Sequence, residues 1–401
     1  MDHKLNLKKQ LACIYTSDFF SGLRITDAVW VALLAARGFS LWEIGLAESV
    51  FHVVSLLCEV PSGMAADLLG RKKTLVSGGV CMVLQSLLMA FASDLFTICF
   101  AMGLNALAMT MFSGTTTALL YDSLKQEGCE EKYIQVSANS SQISMLANAV
   151  GSMASILNRF LGFAGFYLLS AAFEGVSTAA LALMEEPIVT KAQASRGKQT
   201  LRALPGQFTK LARNSLSILR TTPLAAKLIV SSAVVSVPSY LTKMFLQQRL
   251  IELGWPTELL FLPLLLGGLA CVAGTEVGRR MRCRSMRRLY SVCALLCGVG
   301  TLLVGTAPAW GGILGMMLVQ GVLEVYLLHE SQKLNDAIPS DQRATLISVD
   351  GMAYSLLMIP ASPLVGAVGD AFGQAGAGLA LLGGVIVLSG AALLGKKPQE
   401  S

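Results

Sequence analysis

Charge is scarce in this chain. Of 401 residues, 31 are lysine or arginine and 25 are aspartate or glutamate, while 54% are hydrophobic. A charged share of 14%, against about a quarter in ordinary soluble domains, excludes a water-soluble protein of this length. Histidine is scarcer still. His3, His52 and His329 lie far apart and no paired Cys or His ligand motif occurs, which argues against a metal-dependent enzyme. No glycine-rich phosphate loop is present, so ATP-driven pumping has no support. The expectation is a protein without metal, cofactor or catalytic residues. A disulfide framework is also excluded. Cys13, Cys58, Cys81, Cys99, Cys271, Cys293 and Cys297 fall in apolar runs and Cys129 and Cys283 in charged loops, as expected of reduced, small hydrophobic residues. Nor is the N-terminus a cleaved signal. Lys4, Lys8 and Lys9 precede an apolar stretch, but Asp18, Arg24 and Asp27 interrupt it and no small-residue cleavage site follows.

What is abundant is apolar sequence in runs long enough to cross a bilayer, about 20 residues per helix. The first half reads as spans 11–36, 41–60, 74–92, 95–124, 136–161 and 163–184. The second half reads as 223–250, 259–277, 289–307, 310–334, 344–368 and 375–394. The longest connection is polar and basic. These runs predict an all-α polytopic membrane protein of about twelve transmembrane helices: a six-helix bundle over 1–185, a linker over 186–222 and a second six-helix bundle over 223–401. With the N-terminus placed inside, 25 of the 31 basic residues fall on the cytoplasmic side, including Arg71 to Lys73, the linker, and the Arg279 to Arg288 cluster. Both termini are then cytoplasmic. The arginine cluster reads as a topological signal in contact with anionic lipid, not a nucleic-acid patch. Leu201, Leu204, Phe208, Leu211 and Leu219 among basic residues predict an amphipathic surface helix over 200–219.

Between the second and third spans stand Gly63, Asp67, Gly70, Arg71, Lys72 and Lys73. The glycines permit a tight turn, and Asp67 can face a helix N-terminus and pair with Arg71. This loop resembles the signature of the major facilitator superfamily, with Leu68 where a basic residue is common. The preceding Glu59, Pro61, Ser62 and Gly63 resemble bacterial drug exporters of that superfamily. The resemblance implies the major facilitator fold. It also implies a gate in which Gly63, Asp67, Gly70, Arg71 and Lys72 latch the inner helix ends, and a home in a bacterial plasma or inner membrane. Tyr121-Asp122 after the fourth span is echoed by Asn335-Asp336 after the tenth. Two departures weaken an antiport reading: Met102 stands where such antiporters often carry arginine, and the fifth span offers Ala147, Gly151 and Ser155 without a proline.

Ionisable residues in hydrocarbon are costly and tend to face a bundle interior. Glu48, His52, Ser55 and Glu59 share one face of the second span, either as a proton or substrate path or as packing contacts. Asp18, Ser21, Arg24 and Asp27 follow one another around the first span, where Arg24 and Asp27 can pair. With Glu324 and Glu330 of the tenth span, Asp18, Asp27, Glu48 and His52 are the candidates for proton coupling. The resemblance implies that the first, fourth, seventh and tenth spans line a central cavity. There Arg24, Asn105, Thr110, Ser113, Thr117, Tyr121, Ser236, Tyr240, Lys243 and Gln320 are candidate substrate contacts. The serine stripe of the fifth span, Ser137 to Ser155, reads as a packing surface. Together these features predict a monomeric secondary transporter whose partners are a small-molecule substrate, protons and membrane lipid. Proton-coupled efflux of amphiphilic compounds, tetracycline-like among them, is the first expectation; transport of a metabolite, nutrient or siderophore is the second.

Overall fold

The computed structural model describes residues 5–189, 223–283, 285–336 and 343–395. Fourteen α-helices and no strand occur among the described residues. They are α1 Leu7–Gly22, α2 Trp30–Ala36, α3 Leu41–Leu69, α4 Arg71–Phe91, α5 Leu95–Phe112, α6 Thr115–Gln126, α7 Tyr133–Ser152 and α8 Asn158–Leu183. After the linker come α9 Pro223–Glu252, α10 Phe261–Arg280, α11 Met286–Thr306, α12 Ala309–Asp336, α13 Arg343–Ala371 and α14 Ala375–Gly395. The expected amphipathic helix over 200–219 lies outside the described residues.

Ten spans are long and apolar enough to cross a membrane, with α5 and α6 together forming one of them. The other two expected spans correspond to α1–α2 and to α7, and each falls short for its own reason. The first is not continuous. After Gly22 the chain turns through 23–29, and Arg24 takes a left-handed backbone (φ 34°) that side-chain-bearing residues adopt at a cost of about 1–2 kcal/mol. The fifth, α7, is a 20-residue helix carrying five serines, too polar to count as a span on composition. Its serines are spent on α1. Ser140 donates to the Asp18 carboxylate and Ser144 to the Asp18 carbonyl (3.4 Å), which accords with the packing reading of this stripe. Close approach needs a residue without a side chain. A methyl group at Gly151 would collide with the carbonyl of Leu23, so the end of α1 rests directly on α7.

The chain divides into two compact units, Met1–Asp27 with Val50–Lys210, and Ala28–Ser49 with Leu211–Ser401. The core of the first holds Ile14, Leu75, Leu119, Leu124, Val136 and Leu181 from five helices. The second holds Val235, Cys297, Val319 and Leu323. In it, α11 and α14 meet backbone to backbone along Gly298, Gly305 and Gly383. Asp94 starts α5, accepting from the Thr97 amide (2.9 Å) and hydroxyl (2.8 Å). These bonds hold its carboxyl below the ordinary aspartate range.

Gly151→Leu is expected to abolish the monodisperse folded protein, because overpacking of about 1–3 kcal/mol or more falls on backbone that cannot yield. Gly175→Leu, where added atoms meet nothing within 4 Å, serves as the control. Fluorescence-detected size-exclusion chromatography checks both.

Candidate functional site

The segment singled out between the second and third spans is a helix rather than a loop. Pro61 lies inside α3, and Met64 to Leu69 extend the helix as far as Gly70, whose left-handed backbone (φ 110°) is the sole break before α4. Ala65, Ala66, Leu68 and Leu69 are strong helix formers, which explains the extension. Gly63 and Asp67 are exposed on it. From the spacing Asp67 is the expected partner of Arg71; the fold brings Asp122 to it. Arg71 makes its ion pair with Asp122 of α6 and donates to the Ala118 carbonyl at 2.5 Å. Gly70 brings no capping side chain, and Glu186, just beyond α8, supplies it. Its two oxygens accept from the amides of Arg71 (2.8 Å) and Lys72 (2.7 Å), so a full negative charge sits on the positive end of α4. Gln10 holds this segment in place, bonding the Glu185 amide (2.9 Å) and carbonyl (3.0 Å) and the Ser123 hydroxyl (3.1 Å).

The other end of α3 belongs to the second unit. Ser40 and Glu43 form a reciprocal cap (2.8 Å and 3.2 Å). The two amides still open, those of Leu41 and Trp42, donate to the two oxygens of Asp370 at the end of α13 (2.9 and 2.8 Å). One turn in, a methyl at Gly45 would lie 2.6 Å from the Ser362 carbonyl. Pro363 cannot donate to the carbonyl of Ile359, four residues earlier. The Ser49 hydroxyl does so instead, at 2.6 Å. The N-terminal amide of Val31 in α2 is taken by Gln247 of α9 (3.1 Å).

The predicted cavity residues fall into several groups. In the first unit Arg24 and Asp27 pair loosely across the α1 break (3.9 Å, each about half exposed). Both act electrostatically on Glu174 of α8, which is 6% exposed, and Asp27 acts on the buried Tyr167. Asp18 is committed to α7, as described. The hydroxyl of Thr110 bonds back to Leu107 (2.9 Å), Ser113 bonds Glu59, and Tyr121 packs on Tyr133 with Lys125 above it (6.0 Å). Asn105 is half-buried and Thr117 exposed, and neither joins this group. In the second unit the convergence is closer. Lys243 lies over the Tyr240 ring (5.6 Å), and Gln320 of α12 reaches the Ser239 carbonyl (3.0 Å), next to Pro238 in sequence. Glu324 and Lys243 both act on Cys271 of α10. Ser236 is half-buried on the same helix as Lys243. Glu48 is almost fully buried and faces Tyr354 of α13. His52, one turn further along α3, is 4% exposed. Glu330 neighbours Asp350.

Sequence reasoning missed Glu186, Asp370, Glu174 and Asp350. A carboxylate within an apolar run was signal enough for Glu174 and Asp350; Glu186 and Asp370 lie near helix ends, where a charge has no diagnostic value. Asp122→Ala should lower the melting temperature by leaving a mostly buried guanidinium unpaired, a loss of about 3 kcal/mol. Arg71→Ala in the same chain should restore part of it. Scanning fluorimetry of the two single variants and the double variant measures the coupling.

Comparison with known proteins agrees with this architecture. The chain is 21% identical over 369 residues, 88% of each chain, to the "Uncharacterized MFS-type transporter YxaM" of Bacillus subtilis (strain 168). Among solved structures, the nucleoside transporter NupG matches with a TM-score of 0.73 at 14% identity, covering 97% of this chain and 99% of that one. A peptide transporter POT in complex with sulfate matches with a TM-score of 0.72 at 12% identity, covering 96% and 94%. At such identities these structures speak for the fold alone. The family model described as Major Facilitator Superfamily matches residues 13–328. With helices of the required length and number beneath that match, the chain belongs to the major facilitator superfamily and is a multi-pass membrane protein of the secondary-transporter class.

Proposed function

We propose that this transporter expels small amphiphilic compounds carrying charges of both signs, tetracycline-like molecules among them, across a bacterial plasma or inner membrane in exchange for protons. The observation that carries the reading is the grouping of Lys243, Tyr240, Gln320 and Glu324 in the second unit. A cation and an anion beside an aromatic ring and an amide form a recognition set for an amphiphilic zwitterion. The drug-exporter-like sequence from Glu59 to Lys73 supports the outward direction. In this reading both termini are cytoplasmic and the chain works as a monomer by alternating access. The Arg71–Asp122–Glu186 cluster acts at the cytoplasmic end of α3 and the Asp370 cap at its outer end, each favouring one state.

Expression in an efflux-deficient bacterium should raise resistance to at least one class among tetracyclines, macrolides, quinolones and cationic dyes. Lys243→Ala and Glu324→Gln should each lower that resistance, since losing one charge-assisted contact of about 1.5–3 kcal/mol weakens binding about 10- to 100-fold. Membrane abundance by immunoblot should stay unchanged. Unaltered susceptibility to every compound, with the protein present in the membrane, would turn the reading to a metabolite, nutrient or siderophore as the substrate. Asp370→Asn leaves the α3 amides a weaker acceptor. It should shift accessibility of a cysteine introduced at Trp42 toward a membrane-impermeant maleimide, read as a faster labelling rate in whole cells.

A further inference from the structure

A second polar cluster in the same unit is not used by the proposed substrate group. It lies where α9, α12 and α13 meet, and its members are Ser231, Ser232, Tyr326, Glu330 and Asp350. Glu330 is 4% exposed, and its Oε1 is buried without a hydrogen-bond partner. Tyr326 is fully buried, with its hydroxyl against that of Ser231. Asp350 is close enough to Glu330 to act on it electrostatically. Among the described residues neither carboxylate has a cationic partner. The titratable groups around them are Tyr290 and Cys293 of α11, which act on Tyr326, and His329 on α12, whose Nε2 is also buried without a partner. Lys227 and Lys333 are exposed.

The hydrogen-bond inventory around Ser232 places a proton. Its oxygen lies 2.5 Å from Asp350 Oδ1 and 2.9 Å from the carbonyl of Ile229. A hydroxyl has one proton and cannot donate to both. Both contacts are satisfied when Asp350 is protonated and donates to Ser232, which in turn donates to Ile229. An O···O separation of 2.5 Å suits a bridging proton. Glu330 supplies the reason the proton stays, because a second buried carboxylate makes full ionisation of the pair unfavourable.

We infer that Glu330 and Asp350, with Ser232 as the hydrogen-bond relay, form a proton-binding site of the second unit that is loaded in this state and takes up and releases the coupling proton. The inference rests on the transporter reading for its role in coupling, but the proton itself is detectable without any substrate. The whole purified protein in lipid nanodiscs, titrated by infrared difference spectroscopy, should show a protonated-carboxyl C=O band at neutral pH that is absent from Asp350→Asn. In Glu330→Gln the band should disappear about one pH unit or more lower than in the wild type, a tenfold loss of proton affinity. Ser232→Ala keeps both acids and should move the band to higher frequency without removing it, which separates the site from a folding defect. Wild-type and Asp350→Asn spectra that coincide at neutral pH would overturn the inference. So would loss of the band when sodium replaces potassium, which would make this a sodium site. If the band behaves as expected but no compound is exported, the substrate reading fails and the proton site stands. If export persists with its proton dependence in both carboxylate variants, the coupling role fails.

Discussion

A backbone amide or carbonyl that loses its helical partner inside a membrane has no water to turn to, and leaving it bare costs several kcal/mol. Much of the specific polar chemistry in this protein answers that constraint. Helix starts, prolines and breaks create such groups, and at several of them a side chain from elsewhere in the sequence arrives to meet them. Glu186 meets the first amides of α4, and Asp370 those of α3. Ser49 answers the carbonyl that Pro363 abandons. Gln247 reaches the start of α2. These bonds act as addresses: each specifies which remote helix a break must lie against.

One consequence is the double membership of α3. Its first nine residues belong to one compact unit and the remainder to the other. The part in the second unit starts at the Asp370 cap, and the part in the first ends at the Arg71–Glu186 cluster. Neither cap carries more than a few kcal/mol.

The helical membrane class and most spans were legible in sequence because apolar length is a local signal. The break after Gly22 was not, since Arg24 and Asp27 read equally well as an intrahelical pair. What exposes the break is the contact between Leu23 and Gly151, more than a hundred residues away. The capping box at Ser40 and Glu43 was not read from the sequence, and Asp370, which completes it, lies far along the chain. Likewise the basic signature was found, while the partner of Arg71 was assigned to the nearest acid along the chain when the fold brings Asp122. Tyr240, Lys243, Gln320 and Glu324 were found together because they lie in two stripes of helical period on neighbouring helices. Asp350 and Glu174 escaped because a lone carboxylate has no period.

The bond from Ser49 to Ile359 has a further implication. Proline is without an amide hydrogen in every conformation, so the carbonyl of Ile359 needs an outside donor whether or not α3 is present. Were α3 to part from α13, the replacement would have to be solvent, because lipid tails have nothing to donate. Hydration of the seam is thus the condition for opening it. A tightly fitting apolar ligand or a bulkier side chain at its rim, by keeping the seam dry, would hold the two helices together without touching either helix cap.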